Sequence, residues 1–202
     1  MKGDPQAVYL IAGLGNPGPE YGQTRHNVGC RVLDAWAESL GVRWAERRFQ
    51  SRSARAVFQG ESLMLLCPMT FMNRSGEAVR ACAHYYKIDC DRILIAHDDL
   101  DLPLGRIRVA RGGGSGGHKG VASVMNHLGT KAFARVRIGI GRPEGDLPVE
   151  RYVLAPFGGD ERDMVLHMIQ LGIRACELFI VQGVDAAMQV INGQNLTQAR
   201  RE

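Results

Sequence analysis

The sequence lacks any cysteine arrangement typical of a fold held together by disulfides or by a structural metal ion. Its five cysteines are odd in number, form no Cys-x-x-Cys pair and mostly lie within apolar patterns. Disulfide frameworks and zinc sites use even or closely spaced sets of cysteines. We therefore predict reduced cysteines in the core of a cytoplasmic protein.

Long apolar runs, linkers and repeats are also missing. No uninterrupted apolar stretch approaches the roughly 18 residues that a membrane span requires, and the start "MKGDPQAVYLI" lacks the apolar region of a signal peptide. The chain has 202 residues, of which 45% are hydrophobic and 23% charged, which suits one α/β domain with a substantial core. We predict a single soluble domain over residues 1–202, with no membrane association.

Acidic residues are absent from Leu102 to Pro143, although this segment contains eight cationic residues. The alternating stretch "RIRVAR" places Arg106 and Arg108 on one face of a strand, and "RVRIGIG" does the same for Arg135 and Arg137. A solvated sheet face would show the same alternation. The absence of any Asp or Glu from this segment favours a polyanionic partner such as a nucleic acid.

Strand and helix patterns alternate along the chain. Helical spacing follows Val28 to Leu40, residues around Val79 to Tyr86, Gly117 to Leu128, and a long C-terminal helix from Met164 followed by a short one through Ala187. Interleaved strands and helices predict a twisted, mixed but mostly parallel sheet with helices on both faces. The predicted strands are Ala7–Gly13, Ala54–Gln59, Leu63–Cys67, Arg92–Ala96, Arg106–Arg111, Val136–Gly141 and Tyr152–Ala155.

The stretch "LIAGLGNPGPEYGQTRHN" contains the Gly-x-Gly-x-x-Gly pattern of dinucleotide-binding proteins. In that fingerprint a helix starts at once and presents its amides to a pyrophosphate. Here Pro17 and Pro19 intervene, and regular helical spacing is delayed to about Asn27. The fingerprint also needs an acid at the end of a second strand, whereas Asp34 falls in a helical pattern. A structured loop is therefore the preferred interpretation.

Polar side chains concentrate in loops that follow the predicted strands, where α/β sheets bind ligands. A histidine with an orienting carboxylate is a standard base for activating water, and side-chain amides can stabilise an oxyanion. His26 has a second interpretation, as a cap for the helix that follows it. The loop side chains that could share one site are Asn16, His26, Asn73, His97, Asp98 and His118.

Two other stretches of the sequence match sites of different chemistry. The stretch "HDDLD" offers His97, Asp98, Asp99 and Asp101 to a hard cation, but no partner ligands are evident elsewhere, and no metal is predicted. The stretch "GGSGG" matches a serine nucleophile elbow, yet the downstream pair Asp163 and His167 belongs to one predicted helix. The glycines are better explained as exposed amides before a helix N-terminus, where phosphate binds readily.

In order along the chain, "GLGNPGPEYGQTRHNVG", "TFMNRSG", "AHDDLDLPLG", "GGGSGGHKG" and "RVRIGIGRP" resemble the signatures of the bacterial-type peptidyl-tRNA hydrolases. The resemblance runs from about Val8 to Asn192. It implies hydrolysis of the ester between a peptide's C-terminus and the 3'-terminal ribose of tRNA. It also implies one α/β domain, a monomer, and no metal or cofactor.

The resemblance assigns roles to individual positions. His26 would be the catalytic base and Asp98 its orienting carboxylate. Arg137 would bind tRNA phosphate, but the family's accompanying lysine is replaced by Ala110, so Arg108 or Arg111 would substitute for it. The implied substrate-binding positions are Asn16, Tyr21, Met72, Asn73, His118 and Lys119.

Lys119 departs from the family, which usually has asparagine at this position. A cation is disfavoured near a helix N-terminus, so either a phosphate offsets its charge or its side chain is solvated. Two rival functions are compatible with the sequence: a noncatalytic RNA-binding relative, and a nucleotide-dependent oxidoreductase built on the glycine-rich loop. The first is disfavoured by the presence of His26, Asp98, Asn16 and Asn73 together.

Overall fold

The structure is a computed structural model that describes residues 8–44 and 47–194. Its strands form one sheet in the order β2-β3-β1-β4-β6-β5. Strands β3, β1, β4 and β6 run parallel, whereas β2 and β5 are antiparallel to their neighbours. The predicted mixed, mostly parallel sheet is therefore confirmed. The strands are β1 Val8–Gly13, β2 Ser51–Phe58, β3 Glu61–Pro68, β4 Ile93–Asp99, β5 Ile107–Arg111 and β6 Ala134–Gly139.

Helices cover both faces of this sheet, as predicted. Helices α1 (Val28–Ser39) and α5 (Arg162–Asn192) contribute to one buried cluster, which contains Trp36 and Phe179. Helices α2 (Ser75–Tyr86) and α3 (Lys119–Leu128) contribute to a second cluster on the opposite face. A short helix, α4 (Val149–Val153), lies between β6 and α5 in the chain.

Helix α5 is interrupted at Gly183, where φ is 81° and the backbone is not helical. This break agrees with the predicted succession of a long helix and a short one. By length and composition alone, the segment Gly159–Asn192 could cross a membrane. However, 56% of its most apolar window is buried within the molecule, and a core helix meets the same criterion. Its packing on β5, β6 and α1 assigns α5 to the core.

One predicted strand is wrong, because Tyr152–Ala155 lies at the end of α4 and in the turn after it. A short apolar run fits a strand or a buried turn of helix equally well, and only tertiary contacts distinguish them. Tyr152 donates a hydrogen bond to the carbonyl of Ile140, just beyond β6. The other strands lie within about three residues of their predicted bounds; the predicted start at Ala7 lies outside the described residues.

The glycine-rich loop after β1 is not a dinucleotide turn. Two short 3-10 turns, Pro19–Tyr21 and Arg25–Asn27, separate β1 from α1. A Cβ atom on Gly13 would collide with the backbone of Gly29 in α1. Gly13 therefore allows α1 to pack closely on the sheet, and the preferred interpretation as a structured loop is confirmed.

Candidate active site

A cleft of about 630 Å³ lies where β1, β3 and β4 end. Strand β1 is paired with β3 on one side and β4 on the other, so the connections diverge there, as at other ligand sites of parallel sheets. Helix α4 and the start of α3 line the opposite wall. The lining includes Asn16, His26, Met72, Asn73, Asp98, His118 and Lys119.

His26 and Asp98 meet in this cleft, as the sequence predicts. The His26 Nδ1 atom lies 2.9 Å from Asp98 Oδ1 and 3.0 Å from Oδ2. A carboxylate in this position holds the tautomer with the proton on Nδ1. Nε2 then carries the lone pair, and it has no protein hydrogen-bond partner among residues 8–44 and 47–194. The alternative role of His26 as a helix cap is wrong, since Asn27 occupies the N-cap position of α1.

His118 contacts the same carboxylate from the other side. Its Nε2 atom lies 2.9 Å from Asp98 Oδ1, while its Nδ1 accepts the amides of Gly120 and Val121 at the N-terminus of α3. An Nδ1 atom that accepts hydrogen bonds carries no proton, so the proton lies on Nε2 and is donated to Asp98. His118 thus uses both ring nitrogens within the protein.

Asp98 is fixed in its charged form. Burial alone would raise the pKa of this carboxyl, but its interactions with His118, and then with His26, hold the pKa well below the ordinary value. Only 3% of the Asp98 side chain is exposed. The carboxylate therefore accepts hydrogen bonds from two histidines in a largely desolvated position, where such contacts are strong.

His97 is a third histidine of this cluster and also lines the cleft, but its ring contacts His118 and the backbone of Asp98. Its Nδ1 atom lies 2.7 Å from the backbone carbonyl of Asp98, and its ring packs edge-on against His118 at a centroid distance of 4.9 Å. Burial, together with the charge interaction with His118, lowers the pKa of His97 to about 3. His97 is therefore neutral near neutral pH and supports the cluster by packing.

Asn16 is held by an unusually complete set of contacts. Its backbone N–H donates to Asn27 Oδ1, and its carbonyl accepts from Asn27 Nδ2, both at 2.9 Å. Its own Oδ1 accepts the amide of Met72 at 2.8 Å. Because the carbonyl oxygen of the side chain is engaged, the Nδ2 group is left to donate to a ligand in the cleft.

Of the other residues predicted to bind substrate, some line the cleft and one does not. Asn73 is exposed and Met72 is buried, and both line the cleft in the turn Met72–Arg74 that precedes α2. Tyr21 does not line the cleft; it ends the turn Pro19–Tyr21, and its carbonyl accepts hydrogen bonds from Thr24. A substrate contact by Tyr21 stays a prediction.

The glycine-rich loop before α3 reaches the cleft by an unexpected route. Because β5 is antiparallel, this loop leaves the sheet at the end opposite to the cleft. Arg135, at the start of β6, donates to the carbonyls of Gly113 and Gly114 at 2.7 Å and 2.6 Å. The loop then returns along the sheet to bring His118 to Asp98. No nucleophile elbow is formed, since Ser115 lies within this loop.

Several of the cationic residues from 102 to 143 have acidic partners from elsewhere in the chain. Arg137 contacts Asp99 at 2.5 Å, Arg142 contacts Asp101, and Arg111 lies 3.4 Å from Asp185 of α5. The carboxylates of "HDDLD" are thus each paired with a different cationic or histidine side chain. They do not converge into the cation site considered from sequence. Arg108 is exposed, pairs in register with Arg137 across β5 and β6, and has no acidic partner among the described residues.

Lys119 also has a partner that the sequence does not suggest. Its ammonium group lies 2.7 Å from Glu150 Oε1, so an exposed ion pair links the start of α3 to α4 at the cleft wall. The negative charge near the N-terminus of α3 is thus supplied by the protein itself. Any phosphate at Lys119 would compete with Glu150.

His26, Asp98 and His118 are also the group of described side chains that could hold a metal ion, since their candidate ligand atoms lie within 4.8 Å of one another. Their hydrogen bonds argue against that use. His118 Nε2 carries a proton while Nδ1 caps α3, and the His26 Nδ1 proton is directed at Asp98. Metal ligation would require both contacts to be given up.

Comparison with known proteins identifies relatives whose sequences match most of this chain. The family model described as peptidyl-tRNA hydrolase matches residues 10–199. The chain belongs to the peptidyl-tRNA hydrolase family. It is 44% identical over 187 residues to the peptidyl-tRNA hydrolase of Synechococcus sp. (strain JA-3-3Ab), covering 92% of this chain and 83% of that protein. It is 42% identical to that of Geobacter sp. (strain M21), covering 93% of this chain and 100% of that protein.

A solved structure supports the same assignment. The peptidyl-tRNA hydrolase of Acinetobacter baumannii superposes with a TM-score of 0.87 at 38% identity, covering 94% of this chain and 97% of that one. The predicted family, enzyme class and fold are therefore confirmed for this peptidyl-tRNA hydrolase family member.

Sequence reasoning missed several residues of the site. Asn27 holds Asn16, Glu150 binds Lys119, and Arg25 is buried beside His26. Arg25 and Asn27 flank the histidine in "TRHN", and that adjacency is the only sequence signal for either. Glu150 lies between two predicted strands in a segment to which no element is assigned from sequence, and nothing in the sequence connects it to the cleft.

Proposed function

We propose that this protein hydrolyses the ester between the peptide C-terminus and the 3'-terminal ribose of peptidyl-tRNA, with His26 as general base. The observation that carries the proposal is the contact of His26 Nδ1 with Asp98 in the cleft, which leaves Nε2 unengaged. A histidine oriented in this way takes a proton from water near neutral pH.

The proton transfers of this reaction involve His26, Asp98 and a water molecule. His26 Nε2 removes a proton from a water molecule as the water oxygen attacks the ester carbonyl carbon. The tetrahedral intermediate then collapses, the bond to the ribose 3' oxygen breaks, and the leaving oxygen takes the proton back from His26. Asp98 stabilises the imidazolium that forms between these steps.

The amides of Asn16 and Asn73 are suited to the developing negative charge on the carbonyl oxygen. Asn16 Nδ2 is left to donate because Met72 occupies its Oδ1. The side chains of Asn73 and Met72, together with the N-terminal end of α3 at His118 and Lys119, form the remaining proposed contacts. Fixed donors of this kind contribute more than solvated ones because they need no reorganisation during the reaction.

The tRNA backbone is proposed to bind along β5 and β6 at Arg108, Arg111 and Arg137. Arg137 contacts Asp99, which itself lines the cleft, so phosphate bound there would lie close to the reacting ester. Arg108 is its cross-strand neighbour and is exposed. Phosphate contacts of this type fix the position of the nucleic acid without reading its sequence.

We also propose that the enzyme acts as a cytoplasmic monomer. Four of its cysteines are buried as free thiols and Cys90 is partly buried, as in proteins of reducing compartments. The proposed base, its carboxylate and both asparagines belong to the same chain, so the proposed reaction requires no residue from a second copy. Light scattering of the purified protein should give the mass of one chain, and a dimer mass would contradict this part of the proposal.

The decisive experiment measures release of tRNA from an N-blocked aminoacyl-tRNA. His26→Ala should lower kcat by about 10²- to 10⁴-fold, the usual contribution of a positioned base. His167→Ala is the matched control, since His167 is exposed on α5, where its ring contacts the carbonyl of Asp163 one turn earlier, and it does not line the cleft. Wild-type turnover in folded His26→Ala would remove His26 from the mechanism.

The same assay separates the rival functions. A noncatalytic RNA-binding protein would bind the tRNA but release no product. An oxidoreductase would bind a dinucleotide, which the loop between β1 and α1 gives no reason to expect. Turnover without dinucleotide binding supports the proposed hydrolase.

A further inference from the structure

Arg25, the residue before His26, is a buried cation with a dense set of contacts. Its guanidinium binds both carboxylate oxygens of Glu161, at 3.0 Å and 2.7 Å, and donates to the carbonyl of Pro156. It also stacks on the rings of Tyr152 and Phe157, at 4.6 Å and 4.8 Å from their centroids. The Arg25 side chain is 10% exposed and that of Glu161 is 18% exposed.

All of these partners come from one segment, residues 152–161, which follows the cleft wall. Helix α4 contributes Val149, Glu150 and Val153 to the cleft, and the segment continues directly from it. The backbone joins the two regions as well, because Thr24 forms a bridge with Pro156 and the Arg25 amide donates to Ala155 at 3.0 Å.

The contacts bear on His26 through the backbone. Arg25, His26 and Asn27 form a single 3-10 turn, so a shift of Arg25 displaces the next residue. The His26 ring nitrogen lies 2.9 Å and 3.0 Å from the two Asp98 carboxylate oxygens, the usual length of such hydrogen bonds. A displacement of about 1 Å would break the contact, and errors of that size can cost about 100-fold in rate.

We propose that Arg25 is a positioning residue, which anchors the turn of His26 to the segment after α4 and thereby holds the imidazole against Asp98. The inference deepens the proposed function and rests on it. Arg25 touches neither the reacting atoms nor the cleft; it acts through His26. The guanidinium contacts Glu161 through Nη2 and the Pro156 carbonyl through Nη1, and lysine cannot reproduce this planar pair of donors or their stacking.

The test compares Arg25→Lys with wild type in the ester hydrolysis assay. We expect kcat to fall about tenfold or more and KM to change less than about threefold, since the lost geometry matters in the transition state. The matched control is Arg52→Lys. Arg52 is likewise paired with a carboxylate, that of Asp34, which its two terminal nitrogens contact at 3.0 Å and 3.1 Å, and it stacks on Trp44, outside the catalytic cleft.

A purely structural role is excluded by combining variants. If Arg25 acts through His26, Arg25→Lys should change the residual rate of His26→Ala by less than about twofold, because groups that act as a unit are not additive. An equal loss in both backgrounds would overturn the inference. So would wild-type kcat in Arg25→Lys when His26→Ala is inactive.

Glu161→Gln provides the second variant if Arg25→Lys does not fold. Its amide oxygen still accepts from Arg25 and from the Gly158 amide, which contacts Glu161 at 2.5 Å, but the charge is lost. We expect a smaller fall in kcat with the same dependence on His26. Unchanged kcat in folded Glu161→Gln would contradict the inference, whereas activity retained in His26→Ala would instead contradict the proposed function.

Discussion

The cleft and the β5–β6 strand pair differ in how their charged side chains are buried and paired. In the cleft, one buried carboxylate, Asp98, is shared between His26 and His118, so each polar group depends on the others. On β5 and β6 the cations are mostly half-buried or exposed, and several have separate acidic partners. A change in the cleft should therefore be costly, and a change on the strand pair mild.

The charge of a sequence segment also differs from the charge of the surface that the segment forms after folding. Residues 102–143 contain no acid, yet Asp99, Asp101 and Asp185 approach their arginines from outside that range. The bare count of cations therefore overstates the positive charge available to a polyanion. Arg108 is the exposed arginine of β5 that has no acidic partner among the described residues.

The largest effect should follow from Asp98→Asn in the cleft. The amide can stabilise the wrong imidazole tautomer and cannot stabilise the imidazolium, so kcat should fall by about 10²- to 10⁴-fold. Asp101→Asn is the control, because Asp101 is half-exposed and binds Arg142 outside the cleft lining. Equal rates for the two variants would erase the contrast between the regions.

A second prediction concerns stability and pH in the histidine cluster. Unfolded His97 takes up a proton as the pH falls through 6.5, while folded His97 stays neutral until about 3. The unfolded state thus binds more protons between these values, and stability falls as the pH is lowered. This residue should remove about 2 kcal/mol of unfolding free energy between pH 7 and pH 5.

Denaturant titrations at both pH values measure this loss, and His97→Asn provides the comparison. The asparagine amide can still donate to the Asp98 carbonyl but does not titrate. Its stability should therefore depend on pH less than that of wild type by about the same amount. An identical pH dependence in the two proteins would show that His97 is not buried as a neutral group.

On the strand pair, Arg108→Ala should weaken substrate binding without affecting chemistry. Losing one phosphate contact should reduce the slope of log affinity against log salt by about 0.7 to 1, with kcat unchanged. Arg174→Ala on α5 is the control, since Arg174 faces Glu177 at 3.6 Å. The same slope in both variants would remove β5 from the proposed tRNA surface.

Lys119 lies on the wall of the cleft but is exposed, and its substitution should give a smaller effect with a diagnostic sign. If phosphate competes with Glu150 for this lysine, Lys119→Asn should raise KM and Glu150→Gln should lower it, each by about threefold or less, as expected for an exposed pair. Equal KM values for wild type and Glu150→Gln would leave Lys119 without a role in substrate binding.

Chelation should produce no effect at all. The hydrogen bonds of His26 and His118 use the atoms that a metal would need, so EDTA should leave turnover unchanged once the magnesium needed to fold the tRNA is restored. Inactivation by EDTA that zinc reverses, and magnesium does not, would assign the His26, Asp98 and His118 group to a metal instead.

Much of the fold followed from sequence patterns, because periodicity and turn residues report which faces must be buried. The alternation of strands and helices predicts the mixed sheet, and Pro17 and Pro19 already disfavour a dinucleotide turn. The failure at Tyr152–Ala155 has a physical cause: its apolar residues fit a strand or a helix, and the contact of Tyr152 with Ile140 accompanies the helical alternative.

The candidate site was predictable to the extent that its side chains end parallel strands. That rule brings together Asn16, Asn73, His26 and Asp98 at one edge of the sheet. It does not account for His118, since β5 is antiparallel and its loop returns to the cleft along a path held by Arg135. A resemblance could name His118, but local sequence could not give its contact with Asp98.

The sequence by itself determined the types of residues available, the periodicity of the elements and the family to which the chain belongs. Tertiary structure decided which charges are neutralised, which nitrogen of each histidine carries a proton, and which residue anchors His26. Those outcomes depend on groups far apart in the chain, such as Arg25 with Glu161, which are separated by 136 positions. Local propensities act over a few residues, whereas hydrogen bonding and desolvation act on whatever folding brings within about 3 Å.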